Sequence, residues 1–404
     1  LRARVTYLAI CGTAAFAGHT AFTLNLVYQA QTAGLGPLQM ILVGTVLEAV
    51  CFLAQVPTGV LADLRSRRLS VIIGYLLFGA GFLIEGLFPV FGAILLANVV
   101  WGVGATFVDG AQEAWIVDEL GPDRAPDVLV TGAQAGQAGA VLGIGASVAL
   151  AGFGLNVPIL VAAVVWLVLG LALIVVMPED GFHPVPDPAS WRAMRGQAVT
   201  ALAAVRAHRG LLLLLAALAC TAFAGEGLDR LTQLHFLDDI GLPAIGGAHV
   251  WFGLLAAAWM IGAIGVTQVI RRAVDLRDPR RTAGAMAALR AGCVVATIVF
   301  ALAGSFWSAA VSAVALGLSR AATGPLEAAW LAGQTGSATR ATVYSLFSQV
   351  NAAGQVVGGP PLGLVAERLG IRAALLGAAA ITVPAVGFLV AAGRTHQVPR
   401  REEA

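Results

Sequence analysis

The sequence predicts an all-α membrane protein, with twelve transmembrane helices in two pseudo-symmetric six-helix halves. Three observations carry this. Of 404 residues, 58% are hydrophobic and 11% charged, where a soluble domain carries about 25% charge. Apolar runs long enough to cross a bilayer recur along the chain, separated by short polar connections. Polar landmarks of the first half return in the same order in the second.

A span needs roughly 20 mostly apolar residues. The first six fall near 5–30, 38–62, 70–88, 91–117, 127–152 and 157–177. The first is too long for a secretory signal and lacks a small-residue cleavage site, so it is expected to remain as a span. The turns Gln31–Gly36, Phe88–Pro89 and Phe153–Asn156 make their flanking spans antiparallel neighbours and leave no room for an outer domain. Spans 2 and 3 meet at Asp63-Leu64-Arg65-Ser66-Arg67-Arg68, an acid and three arginines in a tight connection. Span 5 carries a ladder of glycines, Gly132, Gly136, Gly139, Gly143 and Gly145, suited to close helix packing.

The longest connection, 178–209, opens as Pro-rich coil (Pro178, Pro184, Pro186, Pro188). It continues with Trp191, Met194, Ala198, Leu202 and Val205 on one side and Arg192, Arg195, Arg206 and Arg209 mostly elsewhere, the pattern of a helix on the membrane surface. A plain linker is the other reading. Six further spans fall near 210–237, 246–270, 282–304, 306–331, 341–365 and 371–392. The division is thus 1–177, a linker 178–209, a second half 210–392 and a tail 393–404.

Arginine supplies all the basic charge, and nineteen arginines fall on one side of this topology. Only Arg368 and Arg372 fall on the other, while Arg230, Arg290 and Arg320 lie inside spans. The positive-inside rule then places both termini in the cytoplasm, as expected of a multi-pass protein of the cytoplasmic (inner) membrane.

The repeat supports two halves. Gly110, Glu113, Trp115, Arg124 and Gln137 correspond to Gly324, Glu327, Trp330, Arg340 and Gln355. The Glu, Arg and Gln pairs are 214, 216 and 218 positions apart, which needs only small insertions.

Several function classes are excluded. A net charge of +2 does not point to nucleic acid. Cys11, Cys51, Cys220 and Cys293 sit in apolar runs without metal-ligand spacing. There is no His-Glu-x-x-His, no Gly-x-Ser-x-Gly and no phosphate-binding loop, which argues against an enzyme, a cofactor or a nucleotide-driven pump.

Twelve spans in two repeated halves joined by a linker resemble the major facilitator superfamily. The connection after span 2 is similar to its signature, roughly G-x-x-x-D-x-x-G-R-R: Gly59, Asp63, Arg67 and Arg68 match, and Ser66 replaces the second glycine. If that site needs a left-handed backbone, serine adds about 1–2 kcal/mol of strain and the turn is looser. Two patterns of proton antiporters are not met. Asn98 stands where span 4 often carries Arg before Gly102, and span 5 has no Gly-Pro pair. The resemblance, closest to drug and metabolite exporters, implies a monomeric carrier in the lipid bilayer. It implies export of a small, partly apolar compound by alternating access, in exchange for protons. Uptake, or flipping of a lipid-like amphiphile, is the alternative with the same architecture.

Ionisable groups inside spans usually face protein or water. Glu48 lies midway along span 2, Asp109 lies deep in span 4 one turn from Glu113, and span 7 carries Glu226 and Arg230 at pairing distance. Glu48, Asp109 and Glu226 are the proton-coupling candidates. The resemblance makes spans 1, 4, 7 and 10 cavity-lining, and so adds His19, Asn25, Asp109, Glu226, Arg230 and Arg320 as cavity candidates. Permanent structural pairing is the competing role for these groups. The resemblance also implies a cytoplasmic gate of Gly59, Asp63, Arg67, Arg68, Glu113, Asp118, Arg124, Glu327 and Arg340. In it Asp118 or Glu119 partners Arg67, and Asp63 faces a helix start near Thr342. Glu85 and Asp239, at the external ends, are expected to be solvated.

Overall fold

The computed structural model describes residues 2–183, 196, 199, 202–203, 205–276, 278–335 and 337–395, without the side chains of 271 and 337–342. Trp191, Arg192, Met194, Arg195 and Ala198 of the expected surface helix lie outside the described residues.

Within this range the chain is helical. In lipid each backbone N–H and C=O must be bonded within the protein, and a helix does this inside its own segment. The spans of the first half are Arg2–Phe22 with Asn25–Gln31, Pro37–Leu64, Arg67–Leu87, Phe91–Val108 with Ala111–Leu120, Ala125–Ala151 and Val157–Val176. Those of the second are Arg209–His235, Gly247–Ala273, Pro279–Ala301, Phe306–Gln334, Ser337–Leu369 and Ile371–Arg394. Among the described residues, ten are long and apolar enough to cross a membrane. Spans 10 and 11 are as long but carry Arg320, Glu327 and several Ser, Gln and Asn residues.

Sequence sets many of the helix ends. Prolines occupy the first turn at Pro37, Pro158 and Pro279, where a missing N–H costs nothing. Ser66, Asp278 and Ser305 cap the helices that follow them through side-chain oxygens.

Two breaks depart from the expected continuous spans. Span 1 turns at Thr23–Leu24, so its last seven residues form a separate helix. Span 4 stops at Val108 and restarts at Ala111, because Gly110 adopts φ +74°, outside the helical region. Asp109 and Glu113 therefore do not share a continuous helical face.

The chain forms two compact units. The first holds spans 1–6 and residues 244–257; the second holds span 7, the remainder of span 8 and spans 9–12. In the first, span 1 packs on spans 5 and 6, span 3 on spans 4 and 6, and span 2 on span 4. The glycine ladder makes the contact between spans 1 and 5. A Cβ at Gly139 would lie 3.0 Å from Gly12 C, and one at Gly143 would lie 2.9 Å from His19 Cβ. Gly145 opens onto space and takes no part. In the second unit span 7 packs on spans 11 and 12, and span 9 on spans 10 and 12. Val205, Leu211, Leu214, Trp330, Phe347 and Leu389 share one core there.

Candidate functional site

The connection between spans 2 and 3 is tied into its own unit. Ser66 has φ −175°, an extended backbone open to any residue, so the left-handed strain and looser turn expected there are absent. Its Oγ accepts the Leu69 N–H at 2.8 Å. Its hydroxyl also donates to the Glu179 carboxylate, whose oxygens lie at 2.8 and 2.7 Å. The Arg68 N–H donates to Glu179 Oε1 at 2.9 Å, and the Arg68 guanidinium bonds the carbonyl of Ile174. Arg67 pairs with Asp118 across to span 4, lies 3.5 Å from Asp63 and donates to Ala114 O at 3.1 Å. Of the two partners envisaged for Arg67, Asp118 fills the role; Glu119 instead accepts the Gly181 N–H at 2.8 Å.

Both repeat-related tryptophans are buried and serve the same local purpose. Trp115 Nε1 donates to Pro178 O at 2.7 Å and Trp330 Nε1 to Pro279 O at 3.2 Å. Their neighbouring acids differ. Glu327 pairs with Arg290 of span 9 at 3.0 Å, a partner inside the spans rather than a loop arginine. Glu113 is exposed, as are Asp109 and Arg124. Gly59 is helical, and a Cβ there meets nothing within 4 Å. The side chains of Arg340 and Thr342 lie outside the described residues.

Three further candidates sit in the first unit. Glu48 is half-buried, and the Cys51 thiol beside it is within electrostatic reach of both Glu48 and Asp109. His19 is half-buried against span 5. Asn25 is 5% exposed, and its Nδ2 donates to Glu85 Oε1 at 2.9 Å. Gln29 Nε2 donates to the same oxygen at 2.8 Å. Glu85 is thus 1% exposed, not solvated. The break in span 1 turns Asn25 and Gln29 inward, where their amides supply what water would have supplied.

In the second unit the charged candidates neutralise one another. Glu226, 3% exposed, pairs with Arg230 Nε at 2.8 Å along span 7. Arg320 of span 10 grips both oxygens of Asp229, with Nη2–Oδ2 at 3.0 Å. Asp239 is also not simply solvated: its Oδ2 lies 2.7 Å from Nδ1 of the buried His235. The sequence reading missed the Glu85 and Glu179 anchors. Asn25 and Gln29, polar residues four apart in an apolar span, were the available signal for the first; Glu179 had none. Among the described residues no group of three or more His, Cys, Asp or Glu is placed to hold a metal ion.

The described residues thus combine membrane-length helices, paired charges inside the spans and a clasped basic connection. The description of the Major Facilitator Superfamily matches residues 8–289, and the chain belongs to that family. The nucleoside transporter NupG is similar in fold, with TM-score 0.75 and 14% identity over 97% of this chain and 99% of that one. A bacterial homolog of the human lysosomal transporter Spinster gives TM-score 0.74 and 18% identity over 98% and 97%. A POT family transporter in complex with a thioalcohol-conjugated peptide gives TM-score 0.74 and 13% identity over 98% and 96%. Comparison with curated proteins found no match.

Proposed function

We propose that this transporter is a secondary carrier working by alternating access, exporting a small, partly apolar drug or metabolite in exchange for protons. On this reading the halves are 1–177 and 210–392, both termini are cytoplasmic, and the protein works as a monomer in the inner membrane. One observation carries the proton coupling, namely how charge is distributed between the units. In the second unit Glu226, Asp229 and Glu327 are each matched by an arginine. In the first, Asp109 is exposed beside the break in span 4, while Arg67 pairs with Asp118 at the span ends. An accessible carboxylate that no guanidinium locks in its charged form can take up and release a proton as access alternates. Glu48, half-buried about one helical turn before Cys51 in span 2, is the second proton-coupling candidate of this unit.

Gly59, Asp63, Arg67, Arg68, Asp118, Glu113, Arg124, Glu327 and Arg340 form the cytoplasmic gate in this proposal. His19, Asp109, Glu226, Arg230 and Arg320 serve the cavity. Asn25 is better read as the anchor of Glu85, since its amide is already spent there. Inverted membrane vesicles test the scheme. Energised vesicles should accumulate substrate, and an ionophore that collapses the pH gradient should abolish accumulation. Undiminished accumulation after collapse would remove proton exchange from the proposal, and accumulation only in right-side-out vesicles would replace export with uptake.

A further inference from the structure

We propose that His235 and Asp239 form a proton-binding latch that fastens the end of span 7 to the end of span 9. His235 is 0% exposed, and both of its ring nitrogens face acceptors: Nδ1 lies 2.7 Å from Asp239 Oδ2 and Nε2 lies 3.1 Å from Phe300 O. The helix changes there to a π turn, Phe236–Ile240, closed by Gly241 N–H on Phe236 O at 3.0 Å and ended by Gly241 at φ +78°. Such turns are rare and concentrate at functional positions. The Phe236 ring packs against Phe300 of span 9 and Phe306 of span 10, so the turn is seated on its neighbours.

The two contacts of His235 require one shared proton. An imidazolium beside a carboxylate gives both nitrogens a hydrogen. A neutral imidazole beside a protonated Asp239 does the same, because the acid donates to Nδ1 and Nε2–H donates to Phe300 O. When that proton leaves to water along the 30%-exposed side chain of Asp239, a single N–H must serve two acceptors. One contact then becomes lone pair against lone pair, and a buried acceptor pair of that kind is expelled. The latch is therefore closed while the pair holds that proton and released when the proton leaves.

The surrounding charges do not substitute for the proton. On its own element His235 has Asp238 and Asp239 on the turn, while Arg230 is held by Glu226. Span 9 offers the Phe300 carbonyl at its C-terminal end, where the helix dipole also favours a cation. Span 10 begins with the uncharged Phe306–Ser312, and Glu367, Arg368 and Arg372 of spans 11 and 12 are exposed.

Amide hydrogen exchange of residues 236–241, measured in lipid nanodiscs at about pH 5.5 and about pH 9 and corrected for intrinsic rates, tests the latch. The wild-type turn should be about tenfold or more better protected at the acidic pH. In Asp239→Asn and His235→Gln the difference should vanish. Equal wild-type protection at both values, or a full difference retained in Asp239→Asn, overturns the proposal. If His235→Gln does not fold, Asp239→Asn decides alone, since that side chain sits at the exposed edge. The readout involves no flux, so it stands or falls separately from proton-coupled transport.

Discussion

A carboxylate that is 1% exposed needs donors around it, and Glu85 finds them on the short helix after the break in span 1. Removing the acceptor leaves the amides of Asn25 and Gln29 buried, at about 1–3 kcal/mol for each unsatisfied group. Glu85→Ala is therefore expected to lower the thermal unfolding temperature in detergent clearly, whereas Glu85→Gln keeps an acceptor oxygen for both and should lose less than half as much. A Glu85→Ala protein that melts with the wild type would show that the network does not hold this corner of the first unit. Ser66 works on the same scale. Where the family signature has glycine, its hydroxyl both caps span 3 and reaches Glu179.

At the scale of the element, spans were legible and their interruptions were not. Hydropathy reports how much water a segment tolerates, and Thr23–Leu24 or Asp109–Gly110 barely alter that sum over a window of about 19 residues. The break at Gly110 is a backbone event. Its φ of +74° suits glycine, while the corresponding Gly324 stays within a continuous helix. The repeat thus located both positions without showing that they behave differently. The Arg67–Asp118 pair could be anticipated, because a short loop beside a neighbouring span leaves arginine few other acids. Glu179 could not, since Pro-Glu-Asp at the head of a linker reads as solvated coil. Gly110→Ala is expected to lose about 1–2 kcal/mol through the left-handed backbone. Gly59→Ala, in a helix with open space around the Cβ, should be neutral or slightly stabilising. Chemical unfolding of the two variants compares them directly, and a Gly110→Ala protein as stable as Gly59→Ala would mean that the break is not needed.

At the scale of the whole molecule, charge inside the spans is divided unequally. Glu226, Glu327 and Asp229 of the second unit are matched by Arg230, Arg290 and Arg320, and such a pair resists the loss of one partner more than the loss of both. The first unit has Asp109 exposed beside the break in span 4, and its Arg67–Asp118 pair lies at the span ends. If protons drive the carrier, the exposed Asp109 is an acid whose charge can change without breaking an arginine pair seen among the described residues. Asp109→Asn should accordingly leave a folded carrier whose transport no longer responds to the pH gradient. Asp229→Asn combined with Arg320→Gln, which removes a matched pair together, should keep that response even if its rate falls. Counterflow and gradient-driven uptake in reconstituted vesicles separate the two effects, because counterflow needs no driving ion. Wild-type pH dependence in Asp109→Asn, or its loss in the double variant, would move the coupling site out of the first unit.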